Sequence, residues 1–364
     1  MTFLKTTRSA LMLVALGAAA FLLMGCGAPP ATGWSSATVV DQFAYVGTPS
    51  GKVLAINVAD GSIKWQYPAD RALGALYSTP AVVDNVLYIG SFDHKLYALD
   101  AATGASKWEF DTTASIVPSP AVGNGMVYFG SNSKKIYALD AATGAKKWEF
   151  ATQGEVWADP TLANGILYAP SLDHKLYALD AVTGARKFDF DANGIIVTKP
   201  AVSDGTVYFA GLAKLFALDA TTGAKKWEFD ASNWVWSNPR VAGGVVYFAA
   251  LDGTVYALDA QTGKAKWNAP FKAGDAVRSP IVVNDGVVYF GSDDLKVYAL
   301  DAATGQAKWS RALTARVLTS PTIAGAVIYV SSHDHFLYAL DAATGQVKWT
   351  LDTGNQKLVT PTSK

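Results

Sequence analysis

Short apolar runs and polar turns alternate along this chain in a pattern that comes round eight times, once every 40 residues or so. In its clearest copy the apolar runs are Ala121-Val122, Val127-Tyr128-Phe129, Ile136-Tyr137-Ala138-Leu139 and Trp148-Glu149-Phe150. Gly123-Asn124-Gly125, a polar turn after Gly130 and Asp140-Ala141-Ala142-Thr143-Gly144 separate them. Short runs rich in Val, Ile, Tyr and Phe between Gly, Asn, Asp and Ser predict four antiparallel strands, A to D, and no helix of useful length after Cys26. The glycine of the C-to-D turn falls at Gly61, Gly104, Gly144, Gly184, Gly223, Gly263, Gly305 and Gly345, so the copies are spaced by 43, 40, 40, 39, 40, 42 and 40 residues.

A four-stranded sheet that is apolar on both faces cannot stand alone and has to be covered on each side. Stacking eight such sheets radially covers every face and leaves no long open edge, which predicts an all-β, eight-bladed β-propeller. Residues that recur in one slot then have structural jobs. Tyrosine fills strand B in every copy, at Tyr45, Tyr88, Tyr128, Tyr168, Tyr208, Tyr247, Tyr289 and Tyr329. Strand D carries Trp65, Trp108, Trp148, Trp227, Trp267, Trp309 and Trp349, with Phe188 in the remaining copy. Aspartate ahead of the turn glycine, as in Asp140, suits a side chain that bonds turn amides before a residue at positive φ. Two segments compete for the inner strand of the first blade: residues 36–41 and the C-terminal Leu358-Val359-Thr360-Pro361-Thr362. Ser363 and Lys364 fall where the repeat wants apolar residues, which favours the N-terminal segment.

The run Tyr-Ala-Leu-Asp-Ala-Ala-Thr-Gly followed by Lys-Trp resembles the repeat of the quinoprotein-like, or PQQ-like, propellers, and the resemblance extends from about Trp34 to Leu351. It implies that each strand-D tryptophan docks against the neighbouring blade. The family includes quinone-dependent dehydrogenases, but the alcohol-oxidising members typically hold the quinone against a disulfide of adjacent cysteines. This chain has one cysteine and no insertion long enough to cover an active site. The expectation is therefore no enzyme, no cofactor and no metal. His94, His174 and His335 share one slot of the B-to-C turn on separate blades, which is poor geometry for converging metal ligands.

The N-terminus is a different object. Lys5 and Arg8 precede an apolar run, Ala10 to Met24, that is short for a membrane span, and Gly25 stands before Cys26. Leu23-Met24-Gly25-Cys26 resembles a lipobox, which implies a signal peptide over 1–25, a lipidated Cys26 with a tether over 26–33, a propeller over 34–351 and a tail over 352–364. Two or more acyl chains would hold the protein stably on a membrane. The whole chain balances 30 basic against 30 acidic residues, and loss of Lys5 and Arg8 with the signal leaves 28 against 30. That balance gives no basic footprint for nucleic acid.

Function is expected where the copies differ. Trp34, Trp157, Trp234 and Trp236 are the tryptophans outside strand D, and all fall at the expected start of strand A. The residue before each strand-A proline reads Thr79, Ser119, Asp159, Lys199, Asn238, Ser279 and Ser320. Bulk and charge thus gather in Trp157, Asp159, Lys199, Trp234, Trp236, Asn238, Arg240 and Arg278, with Trp157 and Asp159 on one side of the strand by period two and Asp159 paired with Lys199. Export, lipidation and a propeller of this size resemble the BamB family of lipoproteins, which serve the machine that assembles outer-membrane β-barrels. The resemblance implies a scaffold for envelope proteins, anchored on the periplasmic face of the outer membrane or, in a host without one, on the outer leaflet of the plasma membrane. The alternative is a tethered receptor for a small ligand, a sugar or a quinone, in the propeller mouth.

Overall fold

The computed structural model describes residues 35–359. Cys26, Trp34, the signal segment and residues 360–364 lie outside the described residues. What is described is an all-β propeller of eight antiparallel sheets, seven of four strands and the last of five. The inner strands of blades 1 to 8 are Thr38–Val40, Ala81–Val83, Ala121–Gly123, Thr161–Ala163, Ala201–Ser203, Arg240–Ala242, Val282–Asn284 and Thr322–Ala324. In blade 3 the sheet continues outward through Met126–Ser131 and Lys135–Asp140 to Lys146–Ala151.

Strands B and C are buried along nearly their whole length, whereas the outer strand alternates between exposed and half-buried positions. The core therefore lies between blades. One cluster joins Tyr128, Ile136 and Ala138 of blade 3 to Leu167, Ala169, Tyr177 and Leu179 of blade 4. Another joins Ala44, Leu54 and Ile56 of blade 1 to Tyr329, Leu337 and Leu351 of blade 8, and so closes the ring.

Each outer-strand aromatic touches the turn of the next blade. The Trp148 indole N–H donates to the Ala181 carbonyl at 3.1 Å, and the Tyr128 hydroxyl donates to the same carbonyl at 3.1 Å. Trp349 and Tyr329 make the equivalent bonds to Val58 across the closure, at 3.1 and 3.5 Å. The turn glycines carry φ between 68° and 75°, and a Cβ on Gly184 would stand 2.7 Å from the Trp148 ring. Glycine is needed here twice, for its backbone and for the indole. Five of these tryptophans, like Phe188, lie half-exposed at one edge rather than in the deep core; Trp267 and Trp349, 5% and 8% exposed, are the buried ones.

The inner strand of blade 1 comes from the N-terminal segment. Ser320 and Thr322 of blade 8 bond to Ser36 and Ala37. The C-terminal residues do not compete for that slot: Lys357–Val359 adds a fifth strand outside Val347–Asp352, with Leu358 against Gly61 and the Gln356 amide donating to Gln66 at 2.7 Å. Blade 6 departs from the pattern because Pro270 shortens its outer strand to Phe271–Lys272 and leaves Trp267 just outside it. Trp267 still reaches Ala302 at 2.9 Å.

Candidate functional site

Each inner strand is reached by a lead-in from the preceding blade, and burial alternates along it. Val156, Ala158 and Pro160 are buried, while Glu155, Trp157 and Asp159 are half-exposed. Val235, Ser237 and Pro239 are likewise buried, with Trp234, Trp236 and Asn238 between them half-exposed. These tryptophans precede the regular strands, which begin at Thr161 and Arg240, so they line the lead-in rather than the strand start that the sequence suggested. The extended alternation nonetheless places Trp157 with Asp159 on one side.

Strand pairing fixes the register between blades. Val282 pairs with Tyr289 as Ala81 pairs with Tyr88, so Ile281, not Pro280, occupies the position of Pro80. Counting back from Pro280 misplaces blade 7 by one residue. Ser279 is fully buried in the slot of Ser78, and Arg278 enters the slot of Trp157 and Trp236. Around the described rim that slot reads Tyr77, Val117, Trp157, Val197, Trp236, Arg278 and Leu318. Neighbouring members meet: the Arg278 guanidinium carbon lies 5.8 Å from the centre of the Trp236 ring. That distance is within cation–π range.

Two places further on, side chains lock neighbouring blades. The Ser119 N–H donates to Asp159 Oδ1 at 2.7 Å, and the Lys199 N–H donates to Asn238 Oδ1 at 2.7 Å. Thr79 and Ser320 donate in the same way to Ser119 and Ser36, both at 2.9 Å. Asp159 and Asn238 thus have a structural task. The expected pairing of Asp159 with Lys199 is not formed: Asp159 accepts from the Ser119 N–H, and the Lys199 amine makes no ion pair among the described residues.

The B-to-C turns complete the rim with residues outside the predicted site. Phe92 packs on Tyr77 with ring centres 5.5 Å apart, and burial pushes the Tyr77 phenol up to about 12. In the equivalent turn of blade 7, Asp293 accepts from Arg278 Nε at 3.1 Å. Asp293 is 8% exposed and its Oδ1 has no partner among the described residues. His333 takes this position in blade 8; burial and the nearby charges of Arg316 and His335 lower its pKa, against the opposing pull of Asp334 and Asp293. Phe92, Asp293 and His333 each donate a backbone N–H to the lead-in, at Ala75, Ala276 and Arg316. That shared backbone bond marks them as one slot, and strand register is what could have found them. His94, His174 and His335 each follow the turn aspartate by one residue, and their φ values of 77°, 75° and 72° give them the left-handed position that Gly51 and Gly253 hold elsewhere.

Trp157 is tied to its own lead-in, the indole N–H donating to Glu155 Oε2 at 2.7 Å. Arg240, the first residue of its strand, is exposed. A quinone held with a divalent cation would need converging carboxylates or histidines, and among the described residues no group of three or more such side chains gathers. With Cys26 as the sole cysteine, the residues present do not fit that group.

Comparison with known proteins gives two family matches. The family described as "Beta-alanine-activating enzyme, beta-propeller" matches residues 78–325, and the family described as "Outer membrane protein assembly factor BamB" matches residues 26–109. No curated protein sequence matches the chain. Among solved structures, BamB from Moraxella catarrhalis is similar with a TM-score of 0.70 and 25% identity, over 82% of this chain and 91% of that one. A computationally designed protein gives a TM-score of 0.76 at 16% identity, covering 86% and 98% of the two chains. A quinohemoprotein alcohol dehydrogenase from Pseudomonas putida gives 0.67 at 17% identity, covering 86% and 70%. The last two likenesses concern the fold alone.

Proposed function

The chain belongs to the β-propeller family described as that of the beta-alanine-activating enzyme, with PQQ-like repeats that resemble BamB, and from that premise we propose that it is a non-enzymatic scaffold of the bacterial envelope. Fold alone does not choose between scaffold and enzyme, since the same architecture carries dehydrogenases. The observation that carries the reading is the rim. Trp157, Trp236, Tyr77 and Arg278 stand in one slot on separate blades, half-exposed and set on rigid sheets. Aromatic residues and arginine held in this way are the usual energetic anchors of protein interfaces.

The resemblance to BamB supports β-barrel assembly proteins as the partners, and the lipobox-like segment supports a lipid anchor at Cys26 on the membrane that faces them. Affinity purification of the full chain from detergent-solubilised membranes tests the reading. Co-purification of barrel-assembly subunits supports it. Recovery of the propeller alone, from membranes in which those subunits are intact, contradicts it.

A further inference from the structure

Four cations stand on the half-exposed or exposed line of four consecutive lead-ins and inner strands. They are Lys199, Arg240, Arg278 and Arg316, on blades 5, 6, 7 and 8. Relative to the residue that precedes the inner strand, they sit one before, one after, three before and five before. They are staggered over six residues of extended chain, about 20 Å at roughly 3.3 Å per residue. Only Arg278 has a carboxylate partner, Asp293; Lys199, Arg240 and Arg316 form no ion pair among the described residues.

Nearby turn carboxylates are engaged elsewhere. Asp294 accepts from Tyr298, Asp334 from Thr314 and Tyr338, and Asp252 pairs with Lys272. Among the described residues Arg278 uses only Nε, and its terminal nitrogens have no acceptor there, while Asp293 and the Trp236 ring hold the guanidinium in place. Beside it the buried Oδ1 of Asp293 lacks a donor among the described residues. A buried acceptor left in that state is costly.

We propose that the rim of blades 5 to 8 receives an extended acidic segment of a partner protein. Cations staggered over four blades are too far apart for one small anion to meet, but they match carboxylates carried at intervals along a peptide. Trp236 offers an apolar face beside the charge. The proposal rests on the reading of the rim as a protein-docking surface.

The test is fluorescence anisotropy with dye-labelled octaglutamate, against octaserine and octalysine, on the mature chain at low and high salt. Octaglutamate is expected to bind more tightly than either control and to weaken as salt rises, as screening requires. A variant with Lys199→Ala, Arg240→Ala and Arg316→Ala removes only side chains outside any ion pair, so Asp293 keeps its partner. Its affinity for octaglutamate should fall about tenfold or more, with an unchanged melting temperature. Arg278→Lys, which keeps the charge but loses the planar fork, should weaken binding less than the triple variant does. Octaglutamate binding no tighter than octaserine, or untouched by the triple substitution, overturns the proposal. Barrel-assembly subunits recovered alongside such a result leave the scaffold reading standing, and octaglutamate binding without those subunits leaves only this inference.

Discussion

The indole of Trp148 and the backbone of Gly184 occupy one another's space so closely that a Cβ on the glycine would stand 2.7 Å from the ring. One blade's outer strand is in this way clamped to the next blade's turn, and the Trp148 N–H and Tyr128 hydroxyl share the Ala181 carbonyl above it. The same relationship recurs around the ring and closes it through Trp349 and Gly61.

Trp148→Ala should therefore lower unfolding stability by about 3 kcal/mol, toward the lower end for a large aromatic because the ring is half-exposed. Denaturant titration followed by circular dichroism measures it. An unchanged midpoint would show that the clamp carries no energy.

Phe188 is the one clamp without an N–H. It packs on Gly223 while the Tyr168 hydroxyl alone bonds the Ala220 carbonyl, at 2.6 Å. Phe188→Trp should be tolerated and should raise stability by about 1 kcal/mol, the net worth of one added hydrogen bond. A lower melting temperature in thermal unfolding would mean that this junction has no room for the larger ring.

Acid should weaken the propeller through its turns. Hydrogen bonds from Thr183 and Lys187 hold Asp180 at about 2, and Lys214 and Lys225 hold Glu228 at about 2. The turn aspartates Asp140 and Asp301 are depressed as well, chiefly by the side chains of Thr143 and Thr304. A carboxylate depressed in the folded state stabilises it fully above its unfolded pKa, near 4, and that stability is lost as pH falls through the folded value. Melting temperature should thus be level from about pH 7 to 5 and fall between about pH 4 and 2. A melting temperature that rises over that lower interval would contradict the assignment.

Cys26 is expected to carry the membrane anchor. Cys26→Ala should move a folded propeller from the membrane to the soluble envelope fraction, as detergent partitioning would show. Partitioning like that of the parent would remove the lipid anchor from the account.

The fold was legible because the repeat is nearly verbatim. Gly144, Trp148 and Tyr128 recur at fixed offsets, and a sheet apolar on both faces admits few packings. The site was legible in part. Trp157 and Trp236 stood out as departures from the repeat, yet their ring was hidden by Pro280, which sits one place early and shifts any count made from prolines. Only the ladder of Val282 on Tyr289 places Arg278 beside Trp236. Asp293 and His333 escaped for another reason: a flanking serine and aspartate mark their slot in the B-to-C turn, but the side chain in the slot itself changes from blade to blade, and the shared backbone bond shows its place at the rim.

The most direct measurement is a binding titration of purified barrel-assembly proteins against the mature propeller and its Trp157→Ala, Trp236→Ala double variant. Both side chains are half-exposed at the rim and away from the inter-blade clamps, so the variant should keep its β content and melting temperature. Truncating two aromatic anchors should weaken binding at least about tenfold. An affinity equal to that of the parent, in a folded double variant, would contradict the claim that this rim is where the protein meets its partner.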